Sequence, residues 1–277
     1  MKNLNLLFTK IYYEKMICDE KGIRLDDQAV GANNALLFEA MFDPKRDFEK
    51  ALTGAETFRL QVEYPGMILG AGNLHCGGLS DDEIKMGFSF DYVTGQPYIP
   101  GSSVKGVLRS CFEQYPDVIM ELTGCGEEDI NPLVAEIFDG ADVFHDAVLC
   151  RGGTGGRLLG EDYITPHDSP IKAPVPIRIV KLIPGVAFEF RFVLGESETS
   201  LISADAKLAL FKKLLVLFGI GAKTNVGYGG LREFDGKEEY SAPTVSPSNK
   251  NNQQQGRFPQ NSGYKNQNRY TNSSRRY

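Results

Sequence analysis

The composition of the chain changes abruptly near residue 240, and this break decides how much of it can fold. Residues 241–277 are rich in Asn, Gln, Ser and Pro and have almost no aliphatic side chains. Such a segment cannot bury enough apolar surface to offset the entropy lost on ordering. We therefore predict one folded domain over 1–240, with insertions, and a disordered basic tail over 241–277.

Charge divides at the same boundary. Six of the 30 Lys and Arg residues lie in the tail, which has no Asp or Glu, so the body carries 24 basic against 36 acidic residues. The net charge is therefore −12 on the body and +6 on the tail. The tail also places basic residues beside aromatic ones: Arg257 with Phe258, Tyr264 with Lys265, Arg269 with Tyr270 and Arg276 with Tyr277. Such pairs can bind single-stranded nucleic acid, or the tail can serve only to keep the protein in solution, and both interpretations stay open.

Neither the cysteines nor the apolar segments indicate a secreted or membrane protein. The five cysteines, at 18, 76, 111, 125 and 150, form no Cys-x-x-Cys pair, so neither a disulfide framework nor a zinc site is predicted. No run approaches the ~18–20 apolar residues of a membrane span, and the first residues lack the apolar core of a secretory signal. We expect a cytoplasmic protein, and no metal or cofactor is predicted.

Hydrophobic periodicity predicts an α+β fold. The strongest helix is 101–115, where apolar residues recur every three or four positions from Val104 to Tyr115. The segment 56–64 alternates apolar and polar residues, as a half-buried strand does. Further helices are predicted at 3–18, 28–41 and 204–218, and strands at 142–150, 175–182 and 186–194, the last two joined as a hairpin at Pro184 and Gly185. This order predicts an antiparallel sheet with helices on one face.

The segment 219–230, Gly-Ile-Gly-Ala-Lys-Thr-Asn-Val-Gly-Tyr-Gly-Gly, follows a predicted helix. It is not a P-loop, because Ala222 stands where a glycine must precede the lysine, and Thr224 takes the place of the third glycine of a dinucleotide motif. Glycines allow consecutive main-chain N–H groups to form an anion-binding nest. The predicted phosphate contacts are Gly221, Lys223, Thr224, Asn225, Gly227 and Tyr228. A tight turn that needs glycine for packing alone is the alternative.

A second candidate phosphate site lies at the start of the helix predicted from Gly101. Ser102 or Ser103 is the expected N-cap, and free N–H groups at a helix N-terminus favour anions. Lys105 and Arg109 are spaced i, i+4, so both side chains are predicted to reach one phosphate-bearing face. The alternative is a capped amphipathic helix with a solvated basic edge.

Three further groups are candidates for chemistry. His75, in the glycine-rich loop 70–78, is predicted to contact a nucleotide or to structure the loop, and a general base is the alternative. Arg151 and Arg157 flank the sequence Gly-Gly-Thr-Gly-Gly and are predicted to contact phosphate. The acidic groups Asp26 with Asp27 and Asp81 with Asp82 and Glu83 could bind a divalent ion, although acidic pairs in polar loops are usually solvated surface.

Taken in order, these motifs resemble the RAMP superfamily of CRISPR proteins. The resemblance rests on the segments 70–73, 98–109 and 219–229. The intervening segments 144–147, 162–167 and 173–178 are similar to the sixth-subunit family of the type III-B (Cmr) effector complexes. The resemblance covers about residues 58–235, and the ordered combination is more specific than any one motif.

The resemblance implies a ferredoxin-like (RRM-like) core with a C-terminal glycine-rich loop. It implies a non-catalytic, RNA-contacting structural subunit of a crRNA-guided complex in antiviral defence, with 101–109 and 219–229 facing RNA. The implied partners are crRNA, possible target RNA, the backbone RAMP subunits, the small subunits and the first Cmr subunit. Because the body is acidic, we expect narrow RNA contacts and large protein–protein surfaces.

Two enzymatic alternatives stay open. A RAMP endoribonuclease would use His75 to process precursor crRNA. A metal-dependent backbone subunit would cleave target RNA with an aspartate in an N-terminal loop, although that family motif is not recognised around Asp26 and Asp27.

Overall fold

The computed structural model describes residues 3–44, 54–72, 75, 78–165 and 176–236. The predicted boundary at 240 and the tail over 241–277 lie outside these residues. Within them the chain forms, in order, α1 (Leu4–Thr9), β1 (Met16–Asp19), β2 (Gly22–Leu25), α2 (Asp27–Phe38), β3 (Glu56–Val62), β4 (Tyr98–Ile99), α3 (Gly101–Gln114), α4 (Pro116–Thr123), α5 (Ile130–Val134), β5 (Val143–Phe144), β6 (Ala147–Arg151), β7 (Leu159–Ile164), β8 (Ile177–Leu182), β9 (Ala187–Val193), α6 (Ala204–Phe218) and β10 (Leu231–Glu233). None of the helices in the described ranges is long and apolar enough to cross a membrane.

An antiparallel sheet of six strands forms the centre of the fold. Its strands lie in the order β10-β3-β9-β6-β4, and β5 pairs with one end of β9. Two hairpins, β1–β2 and β7–β8, lie outside this sheet. The predicted architecture of helices combined with an antiparallel sheet is confirmed.

Strand β9 gives the central sheet one apolar and one polar face. Phe188, Phe190 and Phe192 are fully buried, and Glu189 and Arg191 alternate with them. Helix α6 covers the apolar face, where one of its phenylalanine rings lies 5.3 Å from the ring of Phe192. Helix α3 packs beside α6 and against β5. The two long helices therefore lie together on one side of the sheet, as predicted.

Local signals mark both ends of helix α6, which matches its prediction over 204–218. The Ser203 side chain accepts a hydrogen bond from the N–H of Ala206 at the N-terminus. Gly219, with a φ of 69°, ends the helix. Helix α3 ends one residue before its predicted end, and α2 begins one residue before its predicted start and ends three residues early.

Several predictions of local structure are wrong. The helix predicted over 3–18 ends at Thr9, because Met16–Asp19 pairs with β2 to form a hairpin. The strand predicted over 142–150 divides into β5 and β6. The hairpin predicted across Pro184 and Gly185 does not form, because β8 pairs with β7 while β9 pairs with β3 and β6. The two residues instead carry the chain between sheets, and the N–H of Gly185 donates to the carbonyl of Val62 at 2.9 Å.

A buried ion cluster joins α6 to the segment before β5. The Nζ atom of Lys207, whose side chain is 1% exposed, lies 2.9 Å from Oε1 of Glu136 and 3.2 Å from Oδ2 of Asp142. It also donates to the carbonyl of Gly195 at 2.8 Å. Because a buried charge is stable only beside opposite charge, these three side chains depend on one another.

Candidate nucleic-acid interface

Three segments singled out from the sequence meet in one cleft. The cleft has a volume of about 560 Å³ and lies between helix α3 and the two loops 69–72 and 220–222. Its lining includes Ser103, Gly106 and Val107 from α3, Gly70 and Gly72 from the first loop, and Ile220, Gly221 and Ala222 from the second. The glycine-rich segment and the start of α3 are therefore neighbours on one surface.

Main-chain contacts fix the glycine-rich segment against residues 66–68. The N–H groups of Ala222 and Gly229 donate to the carbonyls of Ile68 and Gly66, at 2.9 and 2.8 Å. Gly221 and Gly229 have positive φ angles of 106° and 77°. A Cβ atom at Gly221 would lie 2.6 Å from the carbonyl oxygen of Ile68. Close packing therefore explains these two glycines, which agrees with the alternative interpretation that the turn needs glycine for packing.

The tip of the same segment has free hydrogen-bond donors. At this tip, the main-chain N–H groups of Gly221, Lys223, Thr224 and Asn225 make no hydrogen bond with any of the described residues. Residues 223–225 are exposed. Among the described residues other than glycine, Lys223 alone has a positive φ, 59°, and its carbonyl accepts hydrogen bonds from the N–H groups of Val226 and Tyr228. Four amide donors beside an ammonium group can bind phosphate oxygens.

Gly227 and Tyr228, predicted as phosphate contacts, take part in the bonding that holds the turn. The N–H of Gly227 donates to the carbonyl of Thr224 at 3.0 Å. The hydroxyl of Tyr228 donates to Oδ2 of Asp162 at 2.7 Å, and Nζ of Lys181 lies 2.5 Å from the same oxygen. Burial and the bond to Asp162 raise the pKa of Tyr228 to about 12. The hydroxyl therefore stays protonated and attaches the turn to the β7–β8 hairpin.

Two of the first N–H groups of helix α3 are bonded within the protein. The N–H of Gly101 donates to Oδ1 of Asp146 at 2.7 Å, and the N–H of Ser103 donates to the carbonyl of Pro100 at 2.8 Å. The predicted N-cap at Ser102 or Ser103 is wrong, because Pro100 precedes the first helical residue and no side chain of the cap residue bonds the helix. The helix dipole favours an anion here, and the protein supplies one from Asp146.

The basic edge of α3 lies on a different helix face from the cleft. The Nζ atom of Lys105 lies 5.6 Å from the ring centroid of Phe144. The Nη1 atom of Arg109 lies 3.0 Å from Oδ1 of Asp139. The two basic residues share a face, as their spacing predicts, but neither lines the cleft. The structure therefore does not bring them into the cleft with Gly221.

His75 lies inside an aromatic cluster. Its ring stacks on that of Phe8, with centroids 3.6 Å apart, and contacts Tyr12 and Tyr13. Its two ring nitrogens each lie 2.7 Å from a main-chain carbonyl oxygen, of Ile84 and Phe8. Burial lowers the pKa of His75 and outweighs the opposite effect of the two carbonyls. A carbonyl oxygen lies against each ring nitrogen, and this arrangement is typical of a structural role for the ring.

The two arginines of the Gly-Gly-Thr-Gly-Gly loop lie outside the cleft. Arg151 lines a separate pocket of about 350 Å³ walled by residues 152–156, and its guanidinium carbon lies 5.3 Å from the ring centroid of Phe234. Arg157 is exposed, and its main chain forms a bridge with that of Met41. Neither arginine lines the cleft, so a phosphate bound by them, as predicted, would lie on a different surface from the cleft.

The acidic groups have structural partners. Asp26 caps α2 by accepting a hydrogen bond from the N–H of Ala29 at 2.8 Å, and Asp27 accepts one from the hydroxyl of Ser80 at 2.7 Å. Glu83 is fully buried and accepts hydrogen bonds from the N–H groups of residues 78–80. Within the described ranges, no group of three or more His, Cys, Asp or Glu side chains is placed to hold a metal ion.

The cleft adjoins a second pocket that the sequence analysis did not single out. This pocket, of about 210 Å³, lies between the C-terminal half of α3 and the end of α6. Val107, Ile220 and Gly221 line both pockets. Ser110 and Gln114 follow Ser103 and Val107 at helical spacing. That stripe could have indicated a second exposed face of α3, beside the apolar stripe used to predict the helix.

The chain matches the family model of the RAMP superfamily over residues 59–232. It is 30% identical over 148 residues to the CRISPR system CMR subunit Cmr6 of Saccharolobus solfataricus. The matched region covers 51% of this chain and 46% of that protein, so the match spans about half the length of the relative.

One of the similar solved structures shares the fold. A chain in the cryo-EM structure of the type III-B Cmr-beta complex bound to cognate target RNA matches with a TM-score of 0.54 and 22% identity, over 81% of this chain and 79% of that one. The crystal structure of Cmr6 from Pyrococcus furiosus matches with a TM-score of 0.40 and 23% identity, over 65% of this chain and 98% of that one.

Proposed function

This chain belongs to the RAMP superfamily, and from that premise we propose that it is a structural, RNA-contacting subunit of a type III-B CRISPR effector complex in antiviral defence. The family match and the similarity to a Cmr6 subunit support this assignment. The observation that carries the RNA contact is the cleft, where the start of α3 and the loop 220–222 line one surface. The bound strand would be crRNA, and the protein neighbours would be backbone RAMP subunits, small subunits and the first Cmr subunit.

We assign the core to the ferredoxin-like fold. The elements β3, α3, β6, β9, α6 and β10 follow one another as strand–helix–strand–strand–helix–strand, with the other elements as additions. In space these four strands lie in the order β10-β3-β9-β6. This pattern supports the assignment, since it is the split βαβ arrangement. The glycine-rich segment is then the connection from the second core helix to the last core strand.

In this proposal the exposed turn at 223–225 binds the RNA backbone. Its free N–H groups can donate to phosphate oxygens, and the Lys223 ammonium offsets part of their charge. Main-chain donors read the backbone and not the bases, which suits a guide of variable sequence. The net charge of −12 on the body repels RNA elsewhere, so we expect the contact to be confined to a few phosphates.

We also propose that the chain does not cleave RNA. Both ring nitrogens of His75 contact carbonyl oxygens, and Asp26 and Asp27 accept hydrogen bonds from the protein itself, which supports structural roles for all three. The test is to incubate the purified chain with repeat RNA and with target RNA, with and without EDTA. Cleavage that is lost in His75→Ala, or in Asp26→Ala or Asp27→Ala, would overturn the non-catalytic assignment.

Salt dependence tests the RNA contact directly. Anisotropy of a labelled guide RNA is measured against the full-length chain over a series of salt concentrations. Lys223→Ala should weaken binding and reduce the slope of log K against log salt by about 1. Lys212→Ala is the matched control, because Lys212 pairs with Glu233 at 2.7 Å and lies in helix α6, outside the turn at 223–225. RNA binding with an unchanged slope in Lys223→Ala would remove this turn from the phosphate contacts.

A further inference from the structure

The second pocket beside the cleft is built from the ends of two helices. Helix α3 contributes its last turns and Tyr115, and α6 contributes its last residue, Phe218. Its volume, about 210 Å³, lies below the range of pockets that hold whole drug-sized ligands. A pocket of this size suits one flat group of a larger ligand.

An aromatic pair forms one wall. The ring of Tyr115 lies 4.5 Å from that of Phe218, centroid to centroid, and the two planes are 21° apart. Tyr115 is 43% exposed, although the apolar periodicity of α3 would place it with the core. Phe218, which is half-buried, packs against the Tyr115 ring. An exposed ring held in one orientation is the kind of surface on which bases of single-stranded nucleic acid stack.

Helix α3 also contributes paired polar groups to the lining of this pocket. Nε2 of Gln114 donates a hydrogen bond to Oγ of Ser110 at 2.9 Å. This bond leaves Oε1 of Gln114 as an acceptor and the Ser110 hydroxyl as a donor, side by side. Every nucleobase has an adjacent donor and acceptor on its pairing edge. An apolar side chain of a protein partner would instead leave these groups without partners, which is unfavourable on burial.

From the stacked rings, the paired polar groups and the shared wall, we propose that this pocket binds one unstacked base of the RNA whose backbone occupies the cleft. The proposal rests on the function proposed above. Val107, Ile220 and Gly221 line both pockets, so a phosphate at the turn and a base in the pocket can belong to neighbouring parts of one strand. Tyr115 is then the stacking residue, and Gln114 with Ser110 contacts the base edge.

Site-specific fluorescence tests this proposal. The full-length chain is titrated with single-stranded RNAs that carry 2-aminopurine at successive positions, because the fluorescence of this base reports its stacking. We expect a change on binding at one position. Tyr115→Ala should abolish that fluorescence change and weaken RNA binding about tenfold. Tyr115→Phe keeps the aromatic ring, so the fluorescence change and the affinity should both stay near those of the wild type. Gln114→Ala, a change of an exposed side chain, should weaken binding several-fold without affecting folding.

Tyr92→Ala is the matched control. Tyr92 is 84% exposed, and its carbonyl contacts Asn3 away from the pocket, so this variant should bind as the wild type does. If the wild type binds RNA with no position-specific signal and Tyr115→Ala binds equally well, the base pocket is wrong and the RNA contact stands. If the wild type binds no RNA, both proposals fail. If Tyr115→Ala keeps RNA but loses a co-purifying effector subunit, the pocket holds a protein side chain and the proposal is wrong.

Discussion

The main-chain N–H of Gly101 donates a hydrogen bond to the Asp146 carboxylate at 2.7 Å, so a residue between β5 and β6 closes the start of helix α3. An acceptor at a helix N-terminus typically contributes about 1 kcal/mol, through the hydrogen bond and through the helix dipole. We therefore expect Asp146→Ala to lower the free energy of unfolding by about 1 kcal/mol in urea titrations.

Ser102→Ala is the contrasting variant. Ser102 is exposed and its side chain does not cap the helix, so its removal should change the free energy of unfolding by less than about 0.5 kcal/mol. If Ser102→Ala costs as much as Asp146→Ala, the serine caps the helix in solution, as its sequence position suggests.

Lys223 allows the shape of the turn to be separated from its charge. Its φ of 59° is unfavourable by about 1–2 kcal/mol for a residue with a Cβ atom, whereas glycine adopts it freely but loses about 0.5–1 kcal/mol more entropy on folding. Lys223→Gly should therefore be at least as stable as the wild type in thermal unfolding. It should also show the weaker, less salt-dependent RNA binding expected of Lys223→Ala.

Lys223→Arg keeps the charge and the strained backbone, so we expect both stability and salt slope to stay near those of the wild type. A clear loss of stability in Lys223→Gly would show that the lysine side chain holds the turn. In that case the change in RNA binding could not be assigned to charge alone.

The sequence predicts best the features whose signals are local. Helix α6 forms over the predicted residues 204–218, since its apolar spacing and the glycine after it are local signals, and the Ser203 cap adds another. The cap of α3 cannot be predicted in this way, since Asp146 lies 45 residues beyond Gly101. Pro184 and Gly185 look like a hairpin turn, but the partners of β8 and β9 are chosen by strands far away in the chain.

In the candidate site, too, the sequence predicts local features and misses those set by residues far away in the chain. The segments 101–109 and 219–229 are recognised from their residues, and their meeting in one cleft follows from the order of the core strands. The directions of Lys105 and Arg109 depend on Phe144 and Asp139, which helical spacing does not reveal. Periodicity places Tyr115 in the apolar stripe, whereas the end of the helix leaves it stacked on Phe218 at the surface.

The buried ion cluster predicts a large loss of stability on removal of its cation. Lys207→Met would leave Asp142, whose side chain is 2% exposed, and Glu136 without their counter-ion. Uncompensated buried charge typically costs about 3–5 kcal/mol. We expect a corresponding fall in the free energy of unfolding, measured in urea. Lys212→Met removes the ion pair with Glu233, where both side chains are more exposed, and should cost less than about 1 kcal/mol.

The same cluster predicts how stability depends on pH. Burial alone would raise the pKa of Glu136, but hydrogen bonds from the N–H of Leu201 and from Lys207 lower it overall, below its ordinary value of 4.5. The pKa of Lys207 is raised: burial acts against this shift, and the bonds to Glu136 and Asp142 outweigh it. A carboxylate with a lowered pKa stabilises the fold above its ordinary pKa and ceases to do so as the pH falls through the lower one. The lysine contribution is lost only as the pH rises above about 10.5.

Glu136→Gln should therefore be less stable than the wild type by a constant amount from neutral pH down to about pH 5. The difference between the two proteins should shrink as the pH falls below about 4.5, and it should vanish once the pH is below the lowered pKa of Glu136 in the folded protein. The measurement is urea unfolding at a series of pH values. Glu113→Gln serves as the control, since Glu113 is 64% exposed and its ion pair with Arg109, at 3.5 Å, lies at the surface. A difference between wild type and Glu136→Gln that persists unchanged into acid would mean that the side chain stabilises the fold through packing and not through its charge.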